Sequence, residues 1–302
     1  MKTNFVVILA CLLTVSACDK SPEGKNPGPA STVSNNQTAP ANKFVAERVK
    51  DKQSYFVFAK QQNYSSPQLL AEFNKFKQIY WAATPKKYED LAVDLVPGFA
   101  KSNDEFKRAD LIKEHKAQLD SFYDEAKAVG TKMAVFTGPV VIKKYDSQKK
   151  GFEFNFTDPQ YVSLGNAKVP YMVVTAAGVP YYYNPSKPMP DFYVYKPAAE
   201  DDARRIENAL AKLRGDSQEA SANMIVYGRV VKTEFRPDRR EMFLLPEHIE
   251  VVALKNRNGD DYEVLWDIDA ASLQSMWKLH GDVTLVPGPE DVLSMLGLKP
   301  VR

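Results

Sequence analysis

Met133-Ala134-Val135-Phe136-Thr137-Gly138-Pro139-Val140-Val141-Ile142 is the stretch at which the chain changes its hydrophobic period. Before it, apolar residues recur three and four positions apart. From it onward they run together or alternate, and β-branched and aromatic side chains dominate. The stretch therefore predicts β structure on both sides of a Gly-Pro bend, following an N-terminal region of helices. Met224-Ile225-Val226-Tyr227-Gly228-Arg229-Val230-Val231 repeats its vocabulary, and with one gap the two blocks align as Met-x-Val-aromatic-Gly-x-Val. Each follows an amphipathic helix, and each leads through a charged turn (Asp146 to Lys150; Arg236 to Arg240) into another strand. A duplicated helix–hairpin unit would produce this, and so would convergence of β-rich hairpins on one set of residues.

Upstream, Ser66 is placed to cap a helix with Pro67 at its first position, where a missing N–H costs nothing. Leu69, Phe73, Phe76 and Tyr80 then form one apolar face, and Tyr88, Leu91 and Leu95 form another before Pro97-Gly98. Ser102 and Glu105 have capping-box spacing ahead of a helix over 103–129. Ile112, His115, Leu119, Phe122, Ala126 and Val129 make its seam, and Gly130 stops it. Phe44 to Phe58 fits another helix, although Tyr55 to Phe58 also suits a strand.

Downstream, Phe152, Phe154 and Phe156 alternate as a strand should, and Tyr171 to Thr175 and Phe192 to Tyr195 read as further strands. Residues 198–214 return to a helix with acids first, bases last and Gly215 beyond. Ala203, Ile206, Leu210 and Leu213 form its inward stripe. Met224 to Thr233, Glu241 to Leu245, His248 to Leu254 and Tyr262 to Leu265 are expected strands, with a turn at Asn258-Gly259. Asp269 is expected to cap a short helix through Leu279. Asp282 to Val286 reads as extended and Pro289 to Leu296 as a last amphipathic turn. Runs of strands bracketed by helices give an α+β class with a mainly antiparallel sheet and an inserted helix. The organisation expected is a helical region over 44–130 and a mixed β/α region over 131–302, which together are short enough to form one domain.

The chain opens differently. Lys2 supplies a positive start, and Phe5 to Val15 is an apolar run too short to span a bilayer. It ends in Val15-Ser16-Ala17-Cys18, an aliphatic residue, two small residues and a cysteine. This resembles the signal peptide of bacterial lipoproteins, whose lipobox has that order. The resemblance implies cleavage after Ala17, lipid on Cys18 (a thioether-linked diacylglycerol and an N-acyl chain such as palmitate) and attachment to the membrane through that lipid. Two or three acyl chains anchor stably where one does not. It places the protein in the bacterial cell envelope, facing the periplasm. Asp19 resembles the inner-membrane retention signal of enteric bacteria, a lean that leaves inner and outer membrane open. The body resembles those of lipoproteins carrying domains of unknown function, and that likeness transfers no activity to any residue.

Of two cysteines, Cys11 lies in the leader, so Cys18 stands alone in the mature chain, with no partner for a disulfide and no cysteine-based metal site. Residues 19–43 carry Pro22, Pro27, Pro29, Pro40, Gly24 and Gly28, with Val33 the only bulky apolar side chain. Such a segment cannot bury enough surface to fold. As a flexible tether it would hold the body about 25–30 Å from the bilayer. Forty basic against 38 acidic residues leave a formal net charge of +2, which argues against a general nucleic-acid surface and gives no broad attraction to anionic lipid.

Catalytic signatures are missing. No GxSxG, HExxH, Walker loop or GxGxxG is present. The three histidines fall apart in sequence: His115 on a helix seam, His248 after Pro246-Glu247 in no known metal spacing, and His280 near a helix end. No metal ligand set and no cofactor is therefore expected. Asp90 and Asp94, Glu200 to Asp202 and Asp260-Asp261 could supply paired carboxylates, because sequence hides their separation in space. Each is also explained by a solvated helix face, a helix start or a turn. The one unusual surface candidate is the aromatic, Pro-stiffened segment 170–197, with Tyr181, Tyr182, Tyr183, Tyr193 and Tyr195 as a candidate binding surface for sugar rings or a protein. Half of these rings facing the core is the competing expectation. The function expected is a non-enzymatic envelope lipoprotein that binds a protein or glycan partner, or serves as a structural module. The alternative is a lipid-anchored hydrolase acting on cell-wall glycan or peptide.

Overall fold

Alternation in the block at 133–142 becomes a single long strand. The computed structural model describes residues 56–58, 66–156, 162–166, 169–179, 193–236, 239–255, 261–279 and 290–295, all within one compact unit. The leader, Cys18, the tether, Tyr181 to Tyr183, Asn258-Gly259, His280 and Asp282 to Val286 lie outside the described residues. The strands are β1 (Phe56–Phe58), β2 (Lys132–Lys143), β3 (Phe152–Phe156), β4 (Val162–Asn166), β5 (Val169–Ala176), β6 (Tyr193–Tyr195), β7 (Glu219–Phe235), β8 (Arg239–Leu254) and β9 (Tyr262–Asp269). They form one nine-stranded sheet in the order β4-β5-β8-β7-β2-β3-β6, with β1 beside β2 and β9 beside β8. Pairing is antiparallel except for β1 on β2 and β5 on β8.

The helices are α1 (Ser66–Ala83), α2 (Tyr88–Leu95), α3 (Glu105–Glu114), α4 (Lys116–Val129), α5 (Glu200–Arg214), α6 (Ala270–Leu279) and α7 (Glu290–Met295). The expected stripes do the packing. Phe76, Tyr80, Leu91, Leu119, Ala126, Ala203, Ile206, Leu210 and Leu273 join one core with Met133, Val135, Met224, Val226, Ile249 and Val251 from the sheet. Burying each of the larger of these side chains contributes roughly 1.5–3 kcal/mol. The intervening strand residues Ala134, Phe136, Ile225, Tyr227 and Val252 form a second cluster with Tyr262 on the other face, which no helical residue joins among the described residues. The α+β class read from the sequence is thus what the structure shows, with α1 to α6 contributing to the main core on one face of a mainly antiparallel sheet and α7 packing Val292 against Phe243 on the other.

Three local readings need correction. The helix expected over 103–129 is two helices, broken at His115, whose half-buried ring lies 3.2 Å from Gln118 Oε1 through Nδ1. Its N-cap is Asp104 rather than Ser102: the Asp104 carboxylate accepts from the backbone N–H of Phe106 at 2.9 Å and Lys107 at 3.2 Å. Aspartate at this position satisfies two donors that a helix start leaves open. The strands split in sequence at Pro246 are one strand, because Pro246 sits at a register shift between β7 and β8 where no ladder donor is required. Of Phe44 to Phe58 only Phe56–Phe58 is described, and it forms the strand that Tyr55 to Phe58 also suited.

The twin blocks lie side by side. β2 and β7 pair with Met133 opposite Gly228, Val135 opposite Val226, and Thr137 opposite Met224. Superposing Met133 on Met224 exchanges the first and last of these pairs and leaves the middle one in place. The strand register is therefore two-fold symmetric about Val135 and Val226. The single gap needed to align the sequences leaves out Thr137, the last residue of β2 in register before its shift toward Val140 and the cis Gly138–Pro139 peptide. Symmetric neighbours, each preceded by a helix and followed by a hairpin, are the arrangement a duplicated unit would give.

Candidate functional site

A cleft of about 720 Å³ opens between α5 and the turn joining β2 to β3. The turn is fixed by its own chemistry. Asp146 and Gly151 exchange backbone hydrogen bonds at 2.9 and 3.2 Å, and the Asp146 carboxylate accepts from the N–H of Gln148 at 2.7 Å and Lys149 at 3.0 Å. The backbone N–H groups of Lys149 and Gln148 hold this carboxyl below the usual aspartate range. Gly151 has no Cβ because one would lie 2.5 Å from the carbonyl oxygen of Tyr195, so only glycine lets β3 begin this close to β6.

From this turn Tyr145 presents a partly exposed ring to the cleft, edge-on to Phe152 at 5.2 Å. Its backbone N–H donates to Glu207 Oε2 at 3.2 Å, and Glu207 receives Arg214 at 2.7 and 3.3 Å. Arg214 is buried, so Glu207 serves as its counter-ion and as the joint between α5 and the turn. Pro197, Ala199 and Ala203 form an apolar floor, while Ser147, Lys150, Arg204 and Asn208 supply polar and cationic groups. Glu200 pairs with Arg204 at 2.6 Å on the open surface. An aromatic ring, an apolar floor and a few convergent polar groups are what ligand clefts of this size offer.

Next to this cleft, β6 decides the fate of two candidate tyrosines. Tyr193 is a correction: it is a core residue, packed on Phe154 at 5.7 Å and Phe156 at 6.5 Å, and burial pushes its hydroxyl pKa well up. Tyr195 is half-buried and stacked on Trp266, with ring centroids 4.7 Å apart and planes 10° apart. Both rings lie on one face of the strand, as alternation requires, and that face is turned toward Phe152, Phe154 and Trp266, leaving Val194 outward. The sequence displayed the i, i+2 tyrosines but not which side of β6 the core would take. Tyr145, which borders the cleft, carried no signal beyond an aromatic beside a charged turn.

Among the carboxylates singled out in sequence, Asp94 is buried against Arg240, Asp202 pairs with Arg205 at 2.7 Å, and Asp261 pairs with Lys255 at 3.3 Å. A second grouping was not foreseen. His248 and Glu250 alternate onto the face of β8 opposite the core residues Ile249 and Val251, and Asp267 of β9 lies directly opposite Glu250. The ligand atoms of the three residues lie within 4.8 Å of one another. His248-x-Glu250 was legible as one strand face, but Asp267 joins it only through the β8–β9 register.

No family model, curated protein or solved structure matches this chain. No helix among the described residues is long and apolar enough to cross a membrane.

Proposed function

We infer that this protein is a lipid-anchored component of the bacterial cell envelope, facing the periplasm. Its folded body is a non-enzymatic module that engages a protein or glycan partner. The observation that carries the anchor is Val15-Ser16-Ala17-Cys18 at the end of the leader, followed by a Pro-, Gly- and Ser-rich tether. The cleft between α5 and the β2–β3 turn supports the binding role: it presents Tyr145, Arg204, Lys150 and Asn208 around an apolar floor. Its carboxylates do not favour the hydrolase alternative. Glu207 is tied to buried Arg214 and Glu200 to Arg204, whereas an acid–base pair needs one carboxyl desolvated and ready to hold a proton.

Crosslinking pull-down from membranes tests this reading. The native chain is expected to recover a partner that Tyr145→Ala with Arg204→Glu loses while still anchored. Cys18→Ala is expected to leave the membrane fraction. Undiminished recovery by the cleft variant would overturn the cleft's role, and release of glycan or peptide fragments from cell walls by the purified chain would overturn the non-enzymatic one.

A further inference from the structure

We propose that His248, Glu250 and Asp267 bind a divalent transition-metal ion, Zn²⁺ foremost, on the face of the sheet that carries Tyr227 and Val252, opposite the main core. All three side chains stand on paired, adjacent strands. Glu250 and Asp267 are direct partners in the β8–β9 register, and His248 precedes Glu250 by two residues on the same face. Extended strands fix their Cα positions, so only side-chain torsions separate the present arrangement from a closed shell. The donor atoms lie within 4.8 Å of one another, with His248 Nε2 3.4 Å from Asp267 Oδ1. Donors on one tetrahedral zinc lie about 3.3–3.6 Å apart, given bonds of about 2.0–2.2 Å.

The surroundings are graded as a metal site requires. Glu250 is only 2% exposed, and Tyr227 donates its hydroxyl to Glu250 Oε2 at 3.0 Å. That bond orients the carboxylate from behind, the role outer partners play in metal centres. The His248 and Asp267 side chains are 29% and 61% exposed, which leaves an entry path. Charge favours a cation. Glu250 and Asp267 bring two carboxylates together, one of them removed from water. Asp269 adds a third beside His248, across the same strand pair, while its side chain caps α6 at Ser272 N, 2.7 Å away. One imidazole with two carboxylates suits Zn²⁺ or Mn²⁺ better than Ca²⁺ or Mg²⁺, which prefer all-oxygen shells. Three protein donors also leave a fourth position for water or a ligand. The inference is independent of the cleft and of the anchor.

The test is calorimetric titration of the chelator-stripped full chain with ZnCl₂, with MgCl₂ and CaCl₂ as comparisons. Co²⁺ substitution gives a second readout through its visible absorption. One Zn²⁺ per chain is expected, with weak or absent Mg²⁺ and Ca²⁺ binding. Asp267→Asn and His248→Gln, both at accessible positions, are each expected to weaken Zn²⁺ binding by more than about tenfold, and Tyr227→Phe by about tenfold. Circular dichroism checks that each variant keeps the fold. Absence of saturable one-to-one binding would overturn the proposal. So would affinity unchanged in both Asp267→Asn and His248→Gln, which would place the ion elsewhere.

Discussion

Asp94→Ala is the most demanding test of how the helices are fixed to the sheet. Asp94, at the end of α2, and Arg240, at the start of β8, form an ion pair whose side chains are 5% and 1% exposed. The guanidinium donates to both carboxylate oxygens, at 2.6 and 3.3 Å, and Trp81 Nε1 donates to Oδ2 at 3.1 Å. Lys77 bonds the Asp94 backbone carbonyl, which the substitution keeps. Removing the carboxylate strands a buried cation, and breaking such a pair costs about 3–5 kcal/mol. Arg240 retains the carbonyls of Arg236 and Arg239 and its stack over Phe235 at 3.6 Å, which argues for the lower end. The indole N–H left without its acceptor adds about 1 kcal/mol or more. The expected loss is about 4 kcal/mol, a large share of the roughly 5–15 kcal/mol that holds a typical domain folded.

Urea unfolding followed by circular dichroism reads this loss. At a slope of about 3 kcal/mol/M the midpoint is expected to fall by about 1.3 M. Asp94→Leu with Arg240→Met removes both charges and is expected to recover most of it, because the penalty lies in the unpaired charge. A midpoint shift below about 0.3 M for Asp94→Ala, under about 1 kcal/mol at that slope, would refute the reasoning.

Other outcomes follow from the same geometry. Asp104→Ala is expected to cost about 1 kcal/mol in urea unfolding and Ser102→Ala close to nothing; equal effects would contradict the assigned cap. Gly228→Ala would drive a Cβ into the Leu245 carbonyl oxygen at the β7–β8 register shift, so a severe loss of soluble, cooperatively folding protein is expected, and a wild-type unfolding curve would count against the close approach. Acid should weaken the fold. Lys116, Lys86 and Tyr88 hold Asp120 below the usual range, and Lys149, then Lys143, do so for Glu153. Such groups bind fewer protons folded than unfolded. Their contribution is therefore present above about pH 4 and lost as pH falls toward their folded values. A urea midpoint unchanged from pH 6 to pH 3 would contradict this.

Much of the architecture was legible because it rests on local rules. The stripes on α1, α4 and α5, the Gly130 and Gly215 stops, the Asp269 cap and the Phe152 to Phe156 alternation each need only neighbours in sequence. What escaped depends on distant partners. Pro246 reads as a breaker until β7 is seen to shift register beside it. His115 reads as seam until the helix is seen to break there. Tyr193 and Tyr195 announce an aromatic strand but not which way it faces. His248, Glu250 and Asp267 come together only when β9 pairs with β8. The twin blocks at Met133 and Met224 are the exception. Their likeness was visible in sequence, and their pairing makes it a symmetry of the sheet centre.

The most direct measurement for the central claim is metabolic labelling of the full chain with a fatty-acid analogue in a bacterial host. The account expects label on the wild-type protein in the membrane fraction and none on Cys18→Ala. Label persisting on Cys18→Ala, or wild-type protein that carries no label, would contradict it.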